Sequence, residues 1–178
     1  VTVNSGPAAE FVTSTPDCSG APVIFTDLSN ANGGTITQWH WTFGDGHDTT
    51  YTVAAASFAH TYANPGNYLV TLQVLTQQGC SGNRQHTITI NPAPVSAFSY
   101  TNTCEGETVQ FNNHSTQNGG SSLIGWLWNF GDPASGTSNT STLANPVHTY
   151  ITAGNYVVTL IATNANGCQD NSQSTVII

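Results

Sequence analysis

Residues 39 to 80 spell W-H-W-T-F-G-D-G, then F-A-H-T-Y-A-N-P-G-N-Y-L-V-T-L, then G-C, and residues 126 to 168 spell nearly the same series again. A chain built from two copies of one pattern must fold into two copies of one unit. The anchors pair in order: Phe25 with Phe111, Trp41 with Trp128, Phe43 with Phe130, Asp45 with Asp132, His60 with His148, Tyr68 with Tyr156 and Cys80 with Cys168. The offset is 86 for the first pair and 88 for the last. That is too long for a solenoid repeat and suits a self-standing domain.

The spacing within each copy is that of β-structure. Tyr68, Val70, Leu72 and Val74 alternate with Leu69, Thr71, Gln73 and Leu75, and Tyr156, Val158, Leu160 and Ala162 behave in the same way. This is the period of a strand with one face in a core. Trp39, Trp41 and Phe43 share a face, as do Trp126, Trp128 and Phe130, while Val23 with Phe25 and Val109 with Phe111 supply an earlier strand. Gly, Asn, Ser and Pro clusters separate the runs, and no long 3.6-residue pattern competes with them. The expected fold class is all-β, as two tandem immunoglobulin-like sandwiches, residues 5–92 and 93–178, each of roughly 85 residues. Residues 1–4 match Ile88 to Asn91 in register, so they read as the last strand of a preceding repeat or as a free leading strand that completes a neighbour's sheet. The chain then reads as an excerpt of a longer array.

Trp-x-Trp-x-Phe-Gly-Asp followed by His-Thr-Tyr, Gly-Asn-Tyr and a Val-Thr-Leu strand resembles the polycystic kidney disease (PKD) domain, over both copies almost end to end. The first copy keeps Phe43-Gly44-Asp45-Gly46, whereas Pro133 follows Asp132 in the second, which puts that turn's geometry in question. The resemblance implies a sandwich found in extracellular portions of surface proteins and as an accessory module of secreted hydrolases. The cysteines and the ending Asn164 to Cys168 are most similar to repeats of large bacterial surface or secreted proteins.

Composition narrows the function classes. Charged residues are only 6% of the chain, the net charge is −8, and Arg84 is its single basic residue. Little is available to neutralise phosphates, so neither nucleic acid nor an anionic membrane surface is expected as a partner. No run of 18 apolar residues exists to span a membrane. The scarcity of Lys and Arg starves trypsin-like proteases of sites and suits an extracellular, cell-surface life.

The candidate residues read mostly as architecture. Asp45 and Asp132 follow a strand beside glycine, where a carboxylate accepts hydrogen bonds from turn amides. His60 and His148 have no partner at ligand spacing and read as packed, hydrogen-bonded side chains. Tyr68 and Tyr156 follow Gly-Asn at a strand start, as in a tyrosine corner, and Trp41 and Trp128 occupy the position where such sandwiches bury a tryptophan. Tyr51 and Tyr100 lie outside the repeated pattern and are the better candidates for exposed aromatic contacts with a glycan. No nucleophile motif of a hydrolase accompanies the Ser, His and Asp residues, so the chain is read as non-catalytic with no cofactor. Calcium has scattered candidate oxygens on Asp17, Asp27, Asp48, Glu105, Glu107 and Asp170, and Glu105 and Glu107 flank Gly106.

Four cysteines, Cys18, Cys80, Cys104 and Cys168, occupy two equivalent positions per copy and are disulfide candidates. One pairing is within each copy, Cys18 with Cys80 and Cys104 with Cys168. The other joins Cys18 to Cys168, with Cys80 and Cys104 reaching to repeats on either side. Strand order favours the second, because the turns before the early strand and after the long strand lie at opposite ends of a sandwich. Asn91, Pro92, Ala93 and Pro94 make a short connection stiffened by proline. The expected function is a structural or adhesive repeat, a stiff spacer or filament segment whose partners are neighbouring repeats or copies of itself. The alternative is a carbohydrate- or protein-binding accessory module of a secreted hydrolase.

Overall fold

The computed structural model describes residues 6–15, 17–54, 57–101 and 104–178, so the expected leading strand at residues 1–4 lies outside the described residues. The chain divides into two compact units between Asn91 and Pro92.

In the first unit, strands β1 (Phe11–Thr13), β2 (Pro22–Asp27) and β5 (Ser57–Thr61) form one sheet in that order. Strands β4 (Asp48–Tyr51), β3 (Ile36–Thr42), β6 (Gly66–Thr76) and β7 (Ser81–Ile90) form the other. In the second unit, β8 (Phe98–Thr101), β9 (Thr108–Asn113) and β12 (Val147–Thr149) reproduce the three-stranded sheet. Strands β10 (Leu123–Asn129), β11 (Thr140–Ser141), β13 (Asn155–Asn164) and β14 (Gln169–Ile177) reproduce the four-stranded one, in the order β11-β10-β13-β14. Every pairing within these sheets is antiparallel. The chain is therefore two β-sandwiches with the same strand order, and among the described residues no helix is long and apolar enough to cross a membrane.

The inward faces are those of the alternation. Val70, Leu72 and Val74 on β6 are buried while Leu69 and Gln73 are exposed, and Val158, Leu160 and Ala162 on β13 are buried beside exposed Val157. A side-chain period of two leaves no other choice once one face of the strand meets a partner sheet. Aromatic rings fill the space between the sheets. Trp41 stands edge-on to Phe11 at 5.1 Å and to Phe25 at 5.8 Å, and Trp128 takes the same place against Phe98 and Phe111 at 5.2 and 5.5 Å. Both tryptophans are fully buried, so truncating either to alanine removes about 3–5 kcal/mol. The other tryptophan of each copy is treated differently. Trp39 donates its Nε1–H to Asp27 Oδ2 at 2.7 Å, whereas the second copy has Asn113 where Asp27 stands and Trp126 Nε1 is buried with no acceptor.

Candidate functional site

Strand β3 ends at Thr42 and the chain turns at once, with the Phe43 amide donating to the His47 carbonyl at 3.0 Å. Gly44 makes the turn possible. Its φ is +80°, and a Cβ there would lie 2.7 Å from the Leu69 oxygen and 2.9 Å from the Leu69 nitrogen on β6. Only glycine tolerates both the left-handed backbone and that approach. The turn presents Asp45, whose Oδ1 accepts the His47 amide at 3.1 Å and whose Oδ2 lies 2.8 Å from His60 Nε2. His60 belongs to β5, in the opposite sheet, and its ring stacks on Phe43 at 3.9 Å with 7° between planes. Two residues on, the Tyr62 hydroxyl donates to the Phe43 carbonyl at 3.1 Å. One strand end thus holds both the carboxylate and the main chain of a turn from the other sheet, closing that end of the sandwich.

The second copy repeats the clamp. His148 Nε2 lies 3.1 Å from Asp132 Oδ2, Phe130 stacks on His148 at 4.5 Å, and the Tyr150 hydroxyl donates to the Phe130 carbonyl at 2.9 Å. Pro133 alters the turn itself. The Phe130 amide donates to the carbonyl of Asn139 at 2.8 Å, because Pro133–Asn139 runs as a 3-10 segment kinked at Gly136 where the first copy makes a tight turn. The inserted segment seals the pair: the His148 and Asp132 side chains are 4% and 8% exposed, against 15% and 14% for His60 and Asp45. It also builds a wall beside β12, leaving an open groove of about 580 Å³ lined by Ser135, Ser138, Thr140, Thr149 and Ile151 among others.

Electrostatics follow from this packing. Burial alone raises the Asp45 carboxyl, but the hydrogen bonds from the His60 ring and the His47 amide, with the charge of His60, outweigh it and hold the group below its ordinary value. Burial, with the Asp45 charge behind it, pushes the Tyr62 phenol far up, and burial and Asp132 do the same to Tyr150. Both remain neutral donors to the turn carbonyls.

The remaining candidates lie away from this clamp. Tyr68 donates to the Asn64 carbonyl at 2.9 Å and Tyr156 to the Thr152 carbonyl at 2.8 Å, each bridging four residues back along the chain. Tyr51 and Tyr100, the expected exposed aromatics, are each half-buried. Tyr51 packs on the first core beside Phe58 at 5.2 Å, and Tyr100 packs on the second with its hydroxyl donated to the Thr175 carbonyl at 3.1 Å. Rings bordering a small aromatic-rich core gain more from covering it than from facing water. Of the calcium candidates, Asp27 accepts from Trp39 and from the Ser29 amide, and Asp170 accepts from the Ser96 amide. Glu105 and Glu107 are exposed, and none of the six carboxylates belongs to a three-ligand cluster among the described residues.

Cys80 and Cys104 are free and exposed. Neither within-copy pair, Cys18 with Cys80 or Cys104 with Cys168, is therefore formed, and the first sandwich shows the physical reason. Cys18 sits against Asn91, at one end of β7, and Cys80 immediately precedes Ser81 at the other. Ten residues of strand separate them, roughly 33 Å, against the 7 Å or so that a disulfide spans. In the second copy Cys168 is buried, and its amide donates to Asn164 Oδ1 at 3.0 Å. Asn164 Nδ2 in turn donates to the Pro92 carbonyl at 3.0 Å, tying the turn after β13 to the start of the unit.

The histidine–aspartate pairing and the buried Tyr62 and Tyr150 are what reading along the chain misses. The available signal is the joint recurrence of Phe-Gly-Asp and His-Thr-Tyr in both copies. His47 is the further addition: its Nδ1 lies 3.3 Å from Asp45 Oδ2, and the residue in its place in the second copy, whose carbonyl takes the Phe130 amide, is Asn139.

The chain resembles segments of known proteases. It is 39% identical over 72 residues to the collagenase ColA of Bacillus cereus, covering 40% of this chain and 7% of that protein. It is 38% identical over 88 residues to the pre-pro-metalloprotease PrtV of Vibrio cholerae, covering 49% of this chain and 9% of that one. The chain therefore spans under a tenth of the length of these relatives. Among solved structures, the PKD1 domain of the same metalloprotease matches at 30% identity with a TM-score of 0.42, over 48% of this chain and 98% of that domain. The PKD1 domain of Vibrio anguillarum Epp matches at 24% identity with a TM-score of 0.43, over 49% and 96%. The family model of the PKD domain matches twice, at residues 4–92 and 89–178, and with both sandwiches carrying the same clamped turn the chain belongs to the PKD domain family, as two tandem copies.

Proposed function

We propose that this chain is a non-catalytic structural repeat of an extracellular protein, a spacer whose domains are joined covalently along an array. The observation that supports the reading is the state of the cysteines. Cys18 and Cys104 are equivalent positions, as are Cys168 and Cys80, yet one member of each pair is oxidised and the other is an exposed thiol. In a longer run of the same repeat, Cys18 bonds Cys168 of the next domain, Cys104 finds its partner in a following copy and Cys80 in a preceding one. Such cross-links suit an oxidising compartment, and a chain with one basic residue and net charge −8 suits an exposed surface rather than a polyanion. A non-reducing peptide map is expected to recover Cys18 and Cys168 in one linked fragment. Recovery of Cys18 with Cys80 sinks the reading. Small-angle scattering on wild type and Cys168→Ser then tests stiffness: a spacer loses extended rigidity when the link is removed, and unchanged profiles refute that role.

A second reading, an accessory binding module of a secreted hydrolase, draws support from the relatives named as collagenase and metalloprotease and from the groove of the second copy. Its hydroxyls offer donors and acceptors to a glycan or an extended peptide, and Ile151, 76% exposed, offers an apolar edge. Calorimetry against soluble oligosaccharides and collagen-like peptides tests it. Binding abolished by Ile151→Asp favours this function, and no binding to either class removes it.

A further inference from the structure

We infer that the first copy carries a binding site for a divalent transition-metal ion of the zinc class, made by Asp45, His47 and His60. Three observations converge on it. One ligand atom from each of the three residues lies within 4.8 Å of the other two, and both imidazoles address the same carboxylate. Ligands bonded to one zinc ion at about 2.0–2.2 Å stand a little over 3 Å apart, so small side-chain movements admit the ion. Two imidazole nitrogens and one carboxylate oxygen form a set suited to zinc, copper or nickel, and too poor in oxygen for calcium. Three protein ligands leave a coordination position for water, and His47, with its side chain 75% exposed, leaves the site open to solvent.

The surroundings hold the ligands in place. The His47 amide donates to Asp45 Oδ1, which fixes the carboxylate plane, and the ring of Phe43 fixes the plane of His60. A purely architectural pair needs none of this. The second copy closes the same end of its sandwich with Asp132 and His148 alone, more deeply buried and with Asn139, whose carbonyl takes the Phe130 amide, where His47 stands. The third ligand, its exposure and the tight Asp45-Gly46-His47 turn belong to the first copy only.

The test uses the full 178-residue chain without a histidine tag, with Cys80 and Cys104 alkylated so that thiolates cannot contribute. Titration with zinc followed by calorimetry, and with cobalt followed by its visible absorption, is expected to give one equivalent per chain. His47→Ala should weaken zinc binding by more than roughly tenfold, since even an outer partner of a metal site is worth 10–100-fold. Because His47 is exposed, this variant keeps the fold, which circular dichroism checks. His86→Ala, remote in sequence and paired with Arg84 and Glu10, should bind as wild type. Absence of binding overturns the inference, and so does binding that His47→Ala leaves intact.

Discussion

Replacing Gly44 by alanine should unfold the first sandwich more easily than replacing Gly46, although both glycines have positive φ, +80° and +93°. An L-residue in the left-handed region costs about 1–2 kcal/mol, and both variants carry that cost. Only at Gly44 does the added methyl meet backbone, at 2.7 Å from the Leu69 oxygen and 2.9 Å from its nitrogen, while at Gly46 nothing lies within 4 Å. Leu69 is held by β7 through its pairing with Thr87, so β6 cannot simply retreat. The turn must open instead, which strains the Tyr62 hydroxyl to Phe43 carbonyl bond, worth about 1 kcal/mol or more when its acceptor is left buried. The total for Gly44→Ala is then roughly 2–4 kcal/mol, at least about 1 kcal/mol beyond Gly46→Ala. Native-state hydrogen exchange read by mass spectrometry on the intact chain measures this locally. Peptides from β3 and β6 should lose protection, with β13 of the second copy as an unchanged reference. Equal losses for the two variants refute the reasoning, since the close approach to β6 would then have no energetic weight.

Tyr62→Phe should destabilise the first sandwich by about 1–3 kcal/mol in urea unfolding, by orphaning a buried carbonyl, and Tyr68→Phe by less, because its acceptor is exposed. The Asp45 carboxyl is held below its ordinary value near 3.8, so its contribution is complete above that value and is lost as pH falls through the lower folded value; acid titration of Asp45→Asn should lack this component. Asp17 acts in the opposite sense, since burial raises its carboxyl and one oxygen has no hydrogen-bond partner. The folded state then binds the proton more tightly than the unfolded one, so the penalty is present above the raised value, and Asp17→Asn should raise the unfolding midpoint at neutral pH. Thiol titration of the native chain should find the two exposed cysteines, Cys80 and Cys104, and all four after reduction in denaturant. Four reactive thiols before reduction contradict the disulfide.

Most of the framework was legible because it is local. Val70, Leu72 and Val74 alternate with polar or exposed neighbours, and any strand with one buried face must show that period. The Trp-x-Trp-x-Phe run likewise announced a strand whose large rings had to be covered. Tyr51 and Tyr100 are half-buried at a core edge, and nothing in their neighbours along the chain records that edge. The 3-10 segment after Asp132 was legible only as a proline in an unexpected place, since its length depends on which later carbonyl captures the Phe130 amide.

By itself the amino-acid order determined that two copies of one all-β unit exist, which faces of their strands turn inward, and which residues cap their turns. These properties follow from side-chain alternation and backbone preference, which act over a few residues. The tertiary structure alone decided that Asp45 meets His60 fifteen residues away on the opposite sheet, that His47 joins them in one copy only, and that Cys18 and Cys80 stand at opposite ends of one strand. Each of these depends on how two sheets stack and where a turn is allowed to close, and such distances are set by packing across the core rather than by spacing along the chain.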